Sequence, residues 1–376
     1  MRSIDRVKAA MSCEVPDRVP VITYTSIDSG NLSGELTNYI RNNADAQYEY
    51  HIGEFLYTEL PCTGMDAVVD VKENIDGWMT RTYTSSIGEH FSNEFKWGEG
   101  KMYRSYRKWV IDDPSVTERL LTLPYLKPDG NSSFIASLEF VDSTSDLHNT
   151  DNEFCWINLT DPLSFLATHC NPADFAIWSR TDRDKLLNFA KEQGRRFCEY
   201  LEYSLSHYRM DCVFLLGGPE YAIPPLMSPQ DFEDFVFDID KEIIDLLHKY
   251  GKKVAIHCHG KIKNFVQRFI AMGADAIHPL EPVGATGDCD LAEIKALYGK
   301  DICLIGNIQY ADLASLPAEG IDKLVKSVMD NAKEGGGFIL SPACPLYCGE
   351  STRDIVERNV RAMIDAGLRY GKYQEE

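Results

Sequence analysis

The hydrophobic pattern of the chain changes character near Asp182. Beyond that point, long segments with apolar residues at helical spacing alternate with short apolar runs. TDRDKLLNFAKEQGRRFCEYLEYSLSHYRM leads to CVFLLGG, SPQDFEDFVFDIDKEIIDLLHKYG to KKVAIHCHG, and KIKNFVQRFIAMG to ADAIHPLEP. DLAEIKALYG then leads to KDICLIGNI, PAEGIDKLVKSVMDNAKEG to GGFILSPAC, and TRDIVERNVRAMIDAGLRYGKY follows as a last amphipathic helix. Regular alternation of strand and helix builds a parallel sheet covered by helices. Runs without internal alternation, such as CVFLL and GFILS, fit strands buried on both faces. Helix starts are marked at Ser228-Pro229, Leu316-Pro317 and Thr352, and helix ends at Gly251, Gly273 and Gly299.

The first half is less regular. VPVITY (19–24) and FCWINL (154–159) read as two further strands, which makes seven; an eighth is expected in the first half. Eight parallel strands with covering helices make an α/β (β/α)8 TIM barrel, preferred here over an open doubly wound sheet and spanning 1–376 as a single domain. Residues 66–112 differ: Thr, Tyr, Val and Trp alternate with polar residues, with Gly or Asp at the turns. That pattern predicts an antiparallel β-hairpin or meander inserted into the N-terminal half of the barrel. LKPDGNSS (126–133) reads as a turn, and SLEFVDSTSDLHNTDNE as a polar helix or loop.

Charge narrows the partners. The 376 residues hold 38 Lys and Arg against 58 Asp and Glu, a net charge of -20, which repels nucleic acid and acidic membrane surfaces. No run approaches the ~20 apolar residues of a membrane span, and the opening MRSIDRVKAAMSCEVPDRVP is a charged helix pattern without a signal-peptide core, so a cytoplasmic protein is expected. The 11 cysteines are odd in number, and most sit inside apolar runs, as buried reduced thiols do. None form C-x-x-C; Cys344 and Cys348 are spaced C-x3-C.

Five strand ends carry side chains with chemistry. In Val254-Ala-Ile-His257-Cys258-His259-Gly260, alternation along a strand puts His257 and His259 on one side and Cys258 on the other. Two neutral imidazoles so placed suit a metal ion. Cys344 follows the run GFILSPA, and Ala276-Ile-His278-Pro-Leu-Glu281 puts an imidazole and a carboxylate at another strand end. A barrel gathers such ends at its mouth, which makes His257, His259 and Cys344 a metal-ligand set with Glu281 as fourth ligand. Glu220 and Tyr221 in Gly217-Gly218-Pro219-Glu220-Tyr221 are expected to line the pocket, as is Asn307; tight turn geometry accounts equally well for Gly217, Gly218 and Asn307. Phosphate loops, G-x-G-x-x-G and G-x-S-x-G are missing from suitable contexts, so nucleotide-dependent and serine-hydrolase chemistry lack support.

RVKAAMSCEVPDRVPV, VAIHCHG, MGADAIHPLEP, GDCDLAEIKALYGKDICLIGNI and GGGFILSPACPLYCGESTRDIVERNVRAMIDAGLRYGKY together resemble the uroporphyrinogen decarboxylase superfamily. The resemblance implies a (β/α)8 barrel and one of two chemistries, porphyrinogen decarboxylation or methyl transfer between corrinoid proteins and coenzyme M or tetrahydrofolate. The decarboxylases carry an arginine-rich N-terminal loop and an aspartate in an F-D-S-W-A-G-like turn. Here VPVITYTSIDSGNLSG has no arginine before Arg41, and the corresponding turn reads LLGGPEYA, so a tetrapyrrole's carboxylates lack their charge partners. The coenzyme M branch holds Zn2+ through H-x-C-G and a distant Cys. In this sequence His259 stands in the cysteine position and Cys344 in the distant one; imidazole in place of thiolate leaves the zinc a stronger Lewis acid and a poorer electron donor to a bound thiolate.

The resemblance thus implies a corrinoid-linked methyltransferase, with the corrinoid supplied by a partner protein and a small methyl acceptor or donor, a thiol or tetrahydrofolate, at the mouth. Zinc at His257, His259, Cys344 and Glu281 would activate a bound thiol, hydroxyl or water, and Glu220 or His278 would shuttle the proton, with Asn307 and Tyr221 contacting the bound molecule. A homodimer is compatible with this reading. Two alternatives stand beside it: a metal-free lyase acting on a small carboxylated substrate with Glu220 or His278 as acid, and a non-catalytic barrel that binds a corrinoid protein.

Overall fold

The computed structural model describes residues 1–51, 67–98, 104–128, 133–346 and 352–373. Its strands are β1 (Ala46–His51), β2 (Ala67–Glu73), β3 (Met79–Ser85), β4 (His90–Trp97), β5 (Arg104–Lys108), β6 (Glu153–Thr160), β7 (Val213–Gly217), β8 (Lys253–His257), β9 (Ala276–His278), β10 (Cys303–Ile308) and β11 (Phe338–Pro342). Seven of them form one parallel sheet in the order β1-β6-β7-β8-β9-β10-β11. The segment around Val21 links its two edges. Val21 bridges Leu340 in parallel, Ile22 donates to the Leu340 carbonyl at 2.9 Å, and Asp45 N–H donates to the Val21 carbonyl at 2.8 Å. Residues 19–24 therefore occupy the remaining strand position but pair too briefly to form a ladder, and the eighth element of the ring is β1. Together they make an α/β TIM barrel.

Helices cover the sheet where the periodicity places them. Asp238–Lys249, Ala318–Ala332 and Arg353–Tyr370 turn apolar faces inward, burying residues such as Ile243, Leu247, Val325, Met329, Val360 and Met363. Ser228 caps its helix through a reciprocal bond with Asp231, and Gly273 ends another in the left-handed conformation at φ 92°. The helix Ser3–Met11 closes the N-terminal end of the barrel: Ile4, Val7, Ala10 and Met11 share a core cluster with the inward residues Phe154, Val213, Ala255, Ala276, Cys303 and Ile339.

Strands β2 to β5 form a separate four-stranded antiparallel meander with Tyr83, Phe91 and Phe95 on its buried face. The polar stretch after it is a helix, Ser133–His148. Among the described residues no helix is long and apolar enough to cross a membrane, and every described cysteine is a free thiol; Cys62 and Cys348 lie outside the described residues.

Candidate active site at the barrel mouth

The barrel interior fixes which side chains reach its C-terminal mouth. Ile22, Trp156, Leu215, Ala255, Ala276, Ile305 and Ile339 pack together inside the ring. Side chains alternate along a strand, so the next inward positions toward the mouth are Tyr24, Asn158, Gly217, His257, His278, Asn307 and Ser341. The polar layer thus begins where the apolar layer stops.

His257 and His278 are register partners on β8 and β9, and their Nδ1 atoms lie 2.9 Å apart. Buried His278 places Nε2 3.1 Å from the Pro342 carbonyl oxygen at the end of β11. A carbonyl only accepts, so this Nε2 carries the hydrogen. Burial pushes the His278 imidazole down to about 3, the ring is neutral at pH 7, and its Nδ1 is a lone pair. The hydrogen between the two rings therefore belongs to His257 Nδ1. His257 is likewise held neutral, first by burial and then by the two neighbouring imidazoles. Its remaining nitrogen, Nε2, is consequently an open lone pair.

Tyr24 supports this pair from the closing segment. Its hydroxyl lies 3.0 Å from His257 Nδ1, and its ring centroid is 3.8 Å from that of His278. Tyr24 adopts φ 47°, a left-handed conformation that costs a non-glycine residue about 1–3 kcal/mol and is commonly retained where a side chain must be aimed.

His259 lies one residue beyond Cys258, its ring perpendicular to His257 with centroids 4.7 Å apart. Its Nδ1 is 3.5 Å from Glu281 Oε1, while Glu281 Oε2 accepts the Gly260 N–H at 2.8 Å. Burial alone would raise the Glu281 carboxyl, but these two donors outweigh it and hold it below the usual range. Cys258 points the other way, into the layer between sheet and helices. Cys344 is half-buried past β11, its thiol raised by burial and by the Glu281 charge. Asn307 donates its amide to the Leu280 carbonyl at 3.0 Å, tying β10 to the turn after β9.

Behind the ends of β6 and β7 sits a set of carboxyls. Asp161 caps the helix Pro162–His169 through a 2.7 Å bond from Ser164 N–H, and its Oδ1 lies 1.9 Å from where a Cβ on Gly218 would stand, at φ 138°. Only glycine fits there, so turn geometry explains Gly218. Burial pushes Asp161 up to about 7, reinforced by the Glu220 charge. Glu220, in the turn Pro219–Ala222 with half-buried Tyr221, is raised by burial too, as is Asp240 on the helix behind. Asp161 Oδ2, Glu220 Oε2 and Asp240 Oδ2 are each sealed from solvent without a hydrogen-bond partner.

His257, His259, His278 and Glu281 are thus gathered at neighbouring strand ends. Among the described residues, however, no three His, Cys, Asp or Glu side chains stand where they could hold a metal ion. His257 Nδ1 is committed to His278, and both Glu281 oxygens face His259 and Gly260. Sequence reasoning missed Tyr24, Asp161 and Asp240. The Asp-Pro pair after an apolar strand was a readable cap signal for Asp161; Tyr24 and Asp240 carried none.

A sequence profile of the uroporphyrinogen decarboxylase (URO-D) family matches residues 175–370. No curated protein sequence matches the chain. Among solved structures, a methyltransferase from Methanosarcina mazei is similar with a TM-score of 0.60 at 14% identity, over 98% of this chain and 99% of that one. A B12-independent methionine synthase from Shewanella sp. W3-18-1 has a TM-score of 0.49 at 11% identity, over 94% of this chain and 97% of that one. The first of these shows a shared fold across the chain.

Proposed function

Because the chain belongs to the uroporphyrinogen decarboxylase family, we propose that it is a methyltransferase of that family, moving a methyl group between a corrinoid carried by a partner protein and a small molecule at the barrel mouth. The observation that carries this reading is the contact of half-buried His257 with buried His278, which leaves His257 Nε2 as an unprotonated acceptor at the end of β8. A methyl group passes from or to cobalt by attack of an electron pair, so the protein's task is to position the small molecule and manage its proton. His257 Nε2 accepts a proton from the bound group, and Glu220, whose burial favours the protonated carboxyl, relays it. The absence of arginine in residues 19–40 also supports methyl transfer over binding of a polycarboxylate.

Zinc, implied by the family resemblance, does not fit the donors as they stand: among the described residues no three His, Cys, Asp or Glu side chains stand where they could hold one ion, and both Glu281 oxygens face His259 and Gly260. Metal analysis of protein from zinc-replete cells is expected to give well below one equivalent, unchanged by His257→Ala; a full equivalent lost in that variant would restore the zinc reading.

The raised carboxyls of Asp161 and Glu220 favour a second reading, a metal-free carboxy-lyase with Glu220 as acid. Incubation with methylcobalamin and, separately, with uroporphyrinogen distinguishes them. Demethylation of the cobalt, seen by its visible spectrum and abolished by His257→Ala, is expected. Consumption of uroporphyrinogen alone would replace methyl transfer by decarboxylation.

A further inference from the structure

The meander has two edges, and they differ. β5 is the shorter and carries Arg104, Arg107 and Lys108, so a second copy of it would be repelled, which is how natural sheets protect an edge. β2 is longer, and among the described residues it pairs with β3 alone. Val69 and Val71 lie opposite buried Tyr83 and Arg81 and so belong to the inner face of the sheet, yet they remain 37% and 44% exposed. At β2 the apolar face extends past its cover.

The hairpin fixes which backbone groups of β2 point outward. Asn74 N–H donates to the Trp78 carbonyl at 2.6 Å, and the register continues through Lys72 opposite Thr80 and Asp70 opposite Thr82. In an antiparallel ladder alternate residues bond to the same neighbour, so Asn74, Lys72 and Asp70 turn their N–H and C=O groups toward β3. Those of Val69, Val71 and Glu73 face the open edge.

The side chains select an occupant for that edge. Two β2 strands related by a two-fold axis through Val71 would set Val71 opposite Val71 and Val69 opposite Glu73 as hydrogen-bonded pairs. Asp70 of each copy then stands opposite Lys72 of the other, in the non-hydrogen-bonded pairs where side chains approach most closely. Moving the axis by one residue, to Asp70 or to Lys72, brings two like charges face to face, which is destabilising. In the single chain Asp70 and Lys72 are exposed and pair with each other at 3.2 Å, so the same two charges can exchange partners across the axis. From this complementarity we propose that β2 binds β2 of a second copy of the chain, joining two meanders into one antiparallel sheet through a closed two-fold interface. Seven residues a side make a small contact, so the dimer is weak and concentration-dependent.

The test is sedimentation equilibrium of the full chain over a range of concentrations at constant ionic strength, with circular dichroism to verify the fold of each variant. The parent is expected to pass reversibly from 42.5 kDa to twice that mass as concentration rises. Asp70→Lys and Lys72→Asp each set like charges opposite one another and are each expected to weaken association about tenfold, while the double variant, which exchanges the two charges, is expected to restore it. Val71→Pro removes an outward N–H and leaves the bonds to β3 in place, and loss of the dimer is expected. A parent that stays at 42.5 kDa up to millimolar concentration, a dimer indifferent to both charge reversals, a double variant that remains monomeric, or open-ended assembly in place of a dimer would each overturn the inference.

Discussion

Buried carboxyls at the two ends of the barrel are treated in opposite ways. At the N-terminal end, Asp45 sits just before β1 and is fully buried. Its Oδ1 accepts from Ser3 Oγ at 2.7 Å and from Arg6, and its Oδ2 from Arg18 at 2.6 Å and Val21 N–H at 2.9 Å. Every acceptor there is used, and the bonds join the capping helix, the closing segment and β1. At the C-terminal mouth the polar atoms are left incomplete: His257 Nε2 is open, and Asp161 and Glu220 hold unpartnered atoms. Burying a polar atom without a partner costs about 1–3 kcal/mol, so each of these mouth carboxyls lowers the stability of the fold. In barrels of this kind the N-terminal end serves stability and the C-terminal end chemistry.

This contrast can be broken first at the bottom. Asp45→Ala leaves Arg6 without its fully buried partner and should lower the unfolding free energy by about 3–5 kcal/mol in urea titrations; a loss below about 1 kcal/mol would mean the closure does not depend on this carboxylate.

The next largest effect belongs to Asp161 and depends on pH. Its folded-state pKa, about 7, is raised above the ordinary carboxyl value, so the protonated form stabilises the fold. That contribution is complete below about pH 4 and fades as pH rises through about 7. Asp161→Asn keeps an acceptor for Ser164 N–H and removes the charge, and it should flatten the stability profile between pH 4 and 8. At pH 8 the variant should be more stable than the parent, by at most ~4 kcal/mol. A variant that is less stable at pH 8 would show that Asp161 is ionised and compensated.

The smallest change in stability is expected from Tyr24→Phe, about 1 kcal/mol for one hydrogen bond. Its functional readout is sharper. With the hydroxyl gone, the share of His257 in the Nδ1–H tautomer, read from its 15N shifts, should stay dominant because His278 still accepts, whereas His278→Phe should reduce it. An unchanged tautomer in His278→Phe would assign the orientation of His257 to Tyr24 instead.

Much of the architecture was readable along the chain. β6 to β11 and their helices are marked by apolar runs, helical spacing and capping residues, because these elements bury hydrophobic surface in the usual way. β1, AQYEYH, was not readable: Gln47 and Glu49 occupy its inward positions and half-buried tyrosines its outward ones, the reverse of an amphipathic strand. VPVITY reads as a strand, yet whether it pairs with both ring edges depends on partners near residues 45 and 340. The histidines and carboxylates were picked out by residue type at strand ends.

What the sequence determined alone is the class of fold and the positions of the chemically able side chains; both depend on local spacing and composition. Only the tertiary structure decided which nitrogen of His257 is open. That depends on a contact between β8 and β9 and on a carbonyl 64 residues beyond His278, and hydrogen bonds between distant strands have no signature in local periodicity.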